Sequence, residues 1–279
     1  MQKNHTKQTL KQKRWQPSAS QPFYKLLYGF YNAYRFVTIP AYRSRVISTF
    51  RFGKEHHQHS NFTVANRYPD LFEMAKSHFA DKNNPKILSF GCSTGEEVAS
   101  LTDYVPHAQF VGVDINEWCI KQATKNYASS SRQFYSVLSD EYKLMSDFDA
   151  IFCLAVFQHP ENRHDPTHTE STYKFEQFES QLTALNQKLK SGGLLFIDHC
   201  DFNFMETSLI SQYQIAPFKE NQVVRNRPLF NRKSLKIAEQ HSNFRVFLKK
   251  WNVFYILNHY TPIKSTGKAI DFFEALFYF

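Results

Sequence analysis

Cysteine is scarce and scattered in this chain. The four, Cys92, Cys119, Cys153 and Cys200, show none of the paired spacing that metal ligands need. They read as reduced, mostly buried thiols of a cytoplasmic protein. No run of about 18 apolar residues occurs, which excludes a membrane-spanning helix. Residues 1–20 carry Lys3, Lys7, Lys11, Lys13 and Arg14 but no apolar core behind them, so they do not make a secretory signal. No internal repeat is evident. Acids are missing from the start of the chain, where Glu55 is the first carboxylate.

That last absence accounts for the charge. Residues 1–55 hold 11 Lys and Arg against one acid, while the remainder holds 23 bases and 24 acids. The net charge of +9 therefore belongs to the beginning of the chain. Residues 1–20 are polar and predict a disordered basic tail. Residues 21–83 predict a helical arm. Phe23, Leu26, Leu27, Phe30, Tyr31, Tyr34 and Val37 fall at helical spacing, with Pro22 at the first helical position and Pro40 closing the segment. Three roles stay open for this basic, aromatic helix: a lid over a site, a contact with an anionic membrane surface, or a contact with nucleic acid. The membrane role would make the protein peripheral to a membrane. His56, His57 and His59 read as part of a solvated joint. Pro69 then opens a helix with Leu71, Met74, Ala75 and Phe79 on one face, before the break at Asn83-Asn84-Pro85.

The chain is organised around Ile87-Leu88-Ser89-Phe90-Gly91-Cys92-Ser93-Thr94-Gly95-Glu96-Glu97. An apolar strand, a glycine turn and a helix start together present a cradle of backbone N–H groups. A dinucleotide would require G-x-G-x-x-G, but Ser93 and Glu96 occupy the second and third glycine places. A ligand bearing an amine and a sulfonium suits the acidic turn better than a pyrophosphate. Downstream, Phe110-Val111-Gly112-Val113 is a second apolar strand, tipped by Asp114. A carboxylate there can accept both hydroxyls of a ribose.

On these residues the chain resembles the class I S-adenosylmethionine-dependent methyltransferases. Gly91-Cys92-Ser93-Thr94-Gly95 matches their first motif and Asp114 their second-strand acid, and the likeness covers roughly residues 84–260. The string Gly91 to Glu97 is locally similar to the chemotaxis-receptor methyltransferases, although the Arg-Asn expected after their fourth strand is absent at Cys153-Leu154-Ala155-Val156. The resemblance implies an α/β fold with a seven-stranded, mostly parallel Rossmann-like sheet over residues 84–279. It implies S-adenosyl-L-methionine as cofactor, contacted by Gly91, Cys92, Ser93, Gly95, Asp114, Ile115, Asp140, Cys153 and Leu154. Asp140 follows the third strand, where a polar side chain would meet the adenine amino group or simply cap a short helix. Cys153 and Leu154 end the fourth strand, Phe148 to Leu154, beside the transferred methyl.

Just beyond lies His159, placed either to take an acceptor proton or to fix the loop before Pro160. Its companions His164, Asp165 and His168 are too irregularly spaced to predict a metal site. The acceptor is expected to be a small molecule reacting at O or N. A protein or RNA acceptor, and a catalytically inactive binding module, are the alternatives. In the lid reading, Tyr31 and Tyr34 close the pocket and keep water from the sulfonium. Beyond the fourth strand the sequence predicts a helix over 175–189, a strand over 194–200, an irregular insertion over 201–229 and a helix over 231–241. Strands over 245–250 and 253–259, forming an edge hairpin, and a packed tail over 269–279 complete the reading.

Overall fold

A computed structural model describes residues 22–53, 61, 63–164 and 166–251. The expectations for the tail over 1–20, for His56, His57, His59 and Asp165, and for residues 253–279 lie outside the described residues.

Three helices come first: α1 (Pro22–Thr38), α2 (Pro40–Phe52) and α3 (Pro69–His78). Pro40 does not close the arm into a loop. It occupies the first turn of α2, where a missing N–H costs nothing. The α/β body then alternates β1 (Lys86–Phe90), α4 (Glu96–Tyr104), β2 (Gln109–Asp114), α5 (Glu117–Tyr127), β3 (Arg132–Ser136), α6 (Asp140–Leu144), β4 (Phe148–Leu154), α7 (Phe175–Lys188) and β5 (Leu189–Asp198). Short strands follow: β6 (Tyr213–Ile215), β7 (Gln222–Arg225), β8 (Leu229–Phe230), β9 (Lys236–Ala238), β10 (His241–Phe244) and β11 (Val246–Lys249).

Seven of these strands form one sheet in the order β3-β2-β1-β4-β5-β11-β6. β1 to β5 run parallel, and β11 lies antiparallel to both its neighbours. β4 is buried along its whole length, as a central parallel strand covered on both faces must be. One core layer packs Phe72, Phe79, Leu101, Phe152 and Phe196 under α3 and α4, with the Phe152 and Phe196 rings stacked at 4.0 Å. The other packs Phe157, Tyr173, Phe178 and Leu182 under α7. The strand order reverses between β1 and β4, so a crevice opens beyond their C-terminal ends.

The region after β5 departs from the expected pattern. Residues 231–241 are not helical. The Asn231 side chain accepts from the N–H groups of Lys233 (2.9 Å) and Leu235 (3.1 Å), and Ser234 takes a left-handed φ of 59°, which folds the segment into a turn between β8 and β9. This local side-chain bonding competes with the helix that the spacing suggests. The insertion over 201–229 is partly regular, because β6 joins the main sheet from within it. β11 is internal to the sheet and not an edge hairpin, since Leu248 pairs with both Leu194 and Gln214.

Candidate active site

The turn between β1 and α4 is held by its own backbone. Gly91 and Cys92 both donate to the Val113 carbonyl, at 2.7 and 2.9 Å. Gly91 has φ +80°, and a Cβ there would run into Val156 Cγ2, so only glycine lets the turn approach the end of β4. Asp114 at the tip of β2 completes the turn, its Oδ2 accepting from the Ser93 N–H (2.9 Å) and its Oδ1 from that of Asn116 (2.8 Å). Burial raises the Asp114 pKa, and the backbone donors from Asn116, Ser93 and Ile115 oppose that rise. The carboxylate keeps acceptor capacity beyond these three donors for a ligand.

A cavity of about 660 Å³ opens on this turn. Its lining includes Gly91, Cys92, Ser93, Glu97, Asp114, Ile115 and Leu154, together with Arg67, Tyr68, Tyr142, Val156, Gln158 and Arg163. Of the residues proposed from sequence, Gly91, Cys92, Ser93, Asp114, Ile115 and Leu154 thus converge. The other four do not. Gly95 caps α4 with φ 97°, and its Cα faces Tyr127 and Ala123 of α5. Cys153 alternates with Leu154 along β4 and packs in the opposite core layer with Tyr173 and Phe157. Asp140 points to solvent with its side chain 90% exposed and pairs with Lys143 at 3.1 Å, so a terminal helix charge is its role, not a cavity contact.

His159 is the fourth correction. It is buried outside the cavity lining, its N–H donates to Asp201 Oδ2 at 2.8 Å, and its Nδ1 accepts from the Glu161 N–H at 3.3 Å. It fixes the loop before Pro160. Nor does α1 form the lid, because Tyr31 and Tyr34 are absent from the lining and more than half exposed. The cover over the turn comes instead from Asn61, Thr63, Val64 and Arg67.

The model of the methyltransferase domain family matches residues 55–248. The chain belongs to that family. Its glycine turn, strand-tip acid and strand order fit those of the class I S-adenosylmethionine-dependent methyltransferases. Solved structures similar to this methyltransferase include the plantazolicin methyltransferase BpumL in complex with SAH. That match has 17% identity, covers 62% of this chain and 59% of that one, and has a TM-score of 0.36. Another is PKMT2 from Rickettsia typhi in complex with AdoHcy, with 24% identity, 49% and 25% coverage, and a TM-score of 0.34. An uncharacterized protein of Synechococcus sp. is 29% identical over 135 residues, which is 47% of this chain and 29% of that protein. The chain therefore spans less than a third of that relative.

The residues present fit the cofactor. The side-chain-free turn at Gly91 offers a close approach, and Asp114 offers carboxylate lone pairs at the strand tip. Val137, Leu138 and Tyr142 supply a largely apolar wall. Glu97 adds a half-buried acid, accepting from Ser89 Oγ at 2.8 Å. Burial raises its pKa to about 7, with the Ser89 bond and Arg67 opposing.

Sequence reasoning missed a second cluster, at the C-terminal end of β5. Tyr68 Oη lies 3.2 Å from His199 Nδ1, and that nitrogen is 3.4 Å from Asp198 Oδ1. Asp198 also accepts from the His199 N–H at 2.6 Å, from Arg225 Nε at 3.0 Å, and faces Arg245 Nη1 at 3.5 Å. Burial raises the Asp198 pKa, but the contacts from His199 and Arg225 outweigh it and hold the carboxylate at about 2. Burial pushes the His199 pKa down, with Asp198 opposing, so the imidazole is neutral at neutral pH. The arginines are then the cations that keep Asp198 ionised. The signal for this cluster was an acid and a histidine directly after an apolar strand, the same pattern that singled out Asp114.

Proposed function

We propose that this methyltransferase methylates an oxygen or nitrogen of a small-molecule acceptor, with Tyr68 and His199 removing the acceptor's proton. The observation that carries the reading is Tyr68, which lines the cavity that Gly91 and Asp114 open on and is bonded to His199, itself beside Asp198 behind the wall. A volume of about 660 Å³ suits small ligands, whose sites span roughly 300–1,000 Å³.

When bound, S-adenosylmethionine supplies a methyl already activated on its sulfonium. Gly91 to Ser93 and Asp114 would hold it, and the protein's main contribution is alignment. Burial raises the Tyr68 phenol pKa, with Arg67 opposing, so Tyr68 does not ionise alone at neutral pH. It passes its proton to His199 Nδ1 while its oxygen takes the acceptor's proton. The proton then rests on Nδ1, where Asp198 Oδ1 at 3.4 Å stabilises the imidazolium.

The test is uptake of labelled methyl from S-adenosylmethionine into separated small-molecule, protein and RNA fractions of an extract. Label in the small-molecule fraction is expected. Label in protein or RNA alone would overturn the acceptor class, and tight donor binding with no label anywhere would favour a binding module.

Glu97 gives a second, independent prediction. A cationic ligand beside it favours the carboxylate, whereas the ligand-free pKa is raised to about 7. S-Adenosylmethionine affinity should rise as pH increases towards that value and level off above it, by up to about tenfold per pH unit. Glu97→Gln should flatten the profile. The ligand-free protein should respond in the opposite direction, because a carboxyl whose folded pKa exceeds its unfolded one weakens the fold as pH rises between the two. Calorimetric titration across this range decides it, and an affinity independent of pH would remove Glu97 from the cationic end of the ligand.

A further inference from the structure

Helix α1 turns its apolar side away from the protein. Leu26, Leu27, Phe30, Tyr31, Tyr34 and Val37 are each at least 50% exposed. At 3.6 residues per turn they share one arc of about 140°. Asn32 and Phe36, partly covered, lie on the opposite side, with the partly covered Arg35 at the margin towards α2 and Tyr28, 53% exposed, beside it. A helix that belonged to the core would present these two faces the other way round.

Charge distinguishes the occupant. Residues 22–53 hold Lys25, Arg35, Arg43, Arg45 and Arg51 and no acid. Arg35 sits over the Tyr42 ring at 4.1 Å and over Tyr31 at 5.5 Å, which places guanidinium at the border of the aromatic face. An apolar arc bordered by cations matches a lipid surface, with side chains in the acyl boundary and bases among anionic headgroups. A second copy of the chain would bring the same positive charge against it. Nucleic acid would leave the apolar arc facing phosphates.

We propose that α1 and α2 form an anchor that lies flat on an anionic lipid surface. No described helix is long and apolar enough to cross a membrane, so the contact is with the surface. Ser44 and Arg51 of α2 bond to Asn116 and Glu117 at the start of α5, the latter pair at 3.4 Å. The anchor is thereby tied to the element that follows Asp114, and the cavity is held near the membrane plane.

The experiment uses the intact chain, floated with vesicles of phosphatidylcholine alone or with phosphatidylglycerol added. Binding is expected only to the anionic vesicles and should weaken with salt. Arg43→Ala combined with Arg45→Ala should weaken it roughly 25-fold, taking about fivefold for each base near such a surface. Phe30→Glu combined with Tyr34→Glu should abolish it. Calorimetric S-adenosylmethionine affinity should be unchanged in both variants, which shows that they are folded. Equal binding to neutral vesicles, or full binding by the Phe30/Tyr34 variant, would overturn the proposal. So would tighter binding to duplex DNA or RNA at the same salt, or a concentration-dependent dimer lost in that variant.

Discussion

Tyr68→Phe is expected to lower turnover by about 10²–10⁴-fold, the usual worth of a positioned acid–base group, while S-adenosylmethionine affinity stays the same. The substitution keeps the ring that packs edge-on against His199 at 5.6 Å and removes only the hydroxyl. His199→Gln should give a similar loss, because Tyr68 then has no base to receive its proton. The pH profile of the parent should fall on the acid side below the ordinary imidazole range, since burial has pushed the His199 pKa down and the base works only when neutral. Single-turnover rates with a hydroxyl acceptor decide the matter. A Tyr68→Phe rate within about twofold of the parent would show that the acceptor loses its proton to water or after transfer.

Asp114→Ala should weaken S-adenosylmethionine by about 1.5–3 kcal/mol, the range for hydrogen bonds to a charged acceptor. That is roughly 10–150-fold in dissociation constant. Two effects add. The ribose hydroxyls lose their acceptor, and the N–H groups of Ser93 and Asn116 lose theirs, at 2.9 and 2.8 Å in the parent. The turn should loosen as well as the ligand. Asp114→Asn keeps one carbonyl acceptor and should therefore lose less. Titration calorimetry that finds the Ala variant within about a factor of two of the parent would detach this strand tip from the ribose.

The body of the fold was readable because its strands are short apolar runs separated by strong punctuation. Ile87 to Phe90 and Phe148 to Leu154 had to be buried on both faces, and the glycine turn with Asp114 on the neighbouring strand tip gave the site its position. What escaped depended on contacts distant in the chain. Tyr68 and His199 are 131 positions apart and meet only because α3 packs over the end of β5. His159 had the chemistry of a base, but Ala155 takes a φ of 60° and turns the chain so that Gln158 lines the cavity and His159 lies within the protein. Residues 231–241 carry a helix-like spacing, yet Leu235 and Ile237 are exposed and Asn231 diverts the backbone. The aromatic face of α1 was visible from sequence; which way it points was not, since periodicity specifies a stripe without specifying its partner.

The position of β11 has a consequence for how the protein comes to be made. β5 carries Asp198 and leads into His199, and its outer edge is covered only when residues 246–249 arrive to lie between it and β6. On a ribosome the preceding strands emerge long before that cover does. For that interval the strand bearing the relay has a bare edge of unpaired amides, the kind of surface on which nascent chains cross-pair. Arg245, buried just before β11 and bonded to Asp70 at 2.5 Å, ties this late-arriving strand back to α3. Among the described residues the last strand of the sheet is therefore the one that covers β5, so a nascent chain secures the strand behind the relay only once β11 is in place.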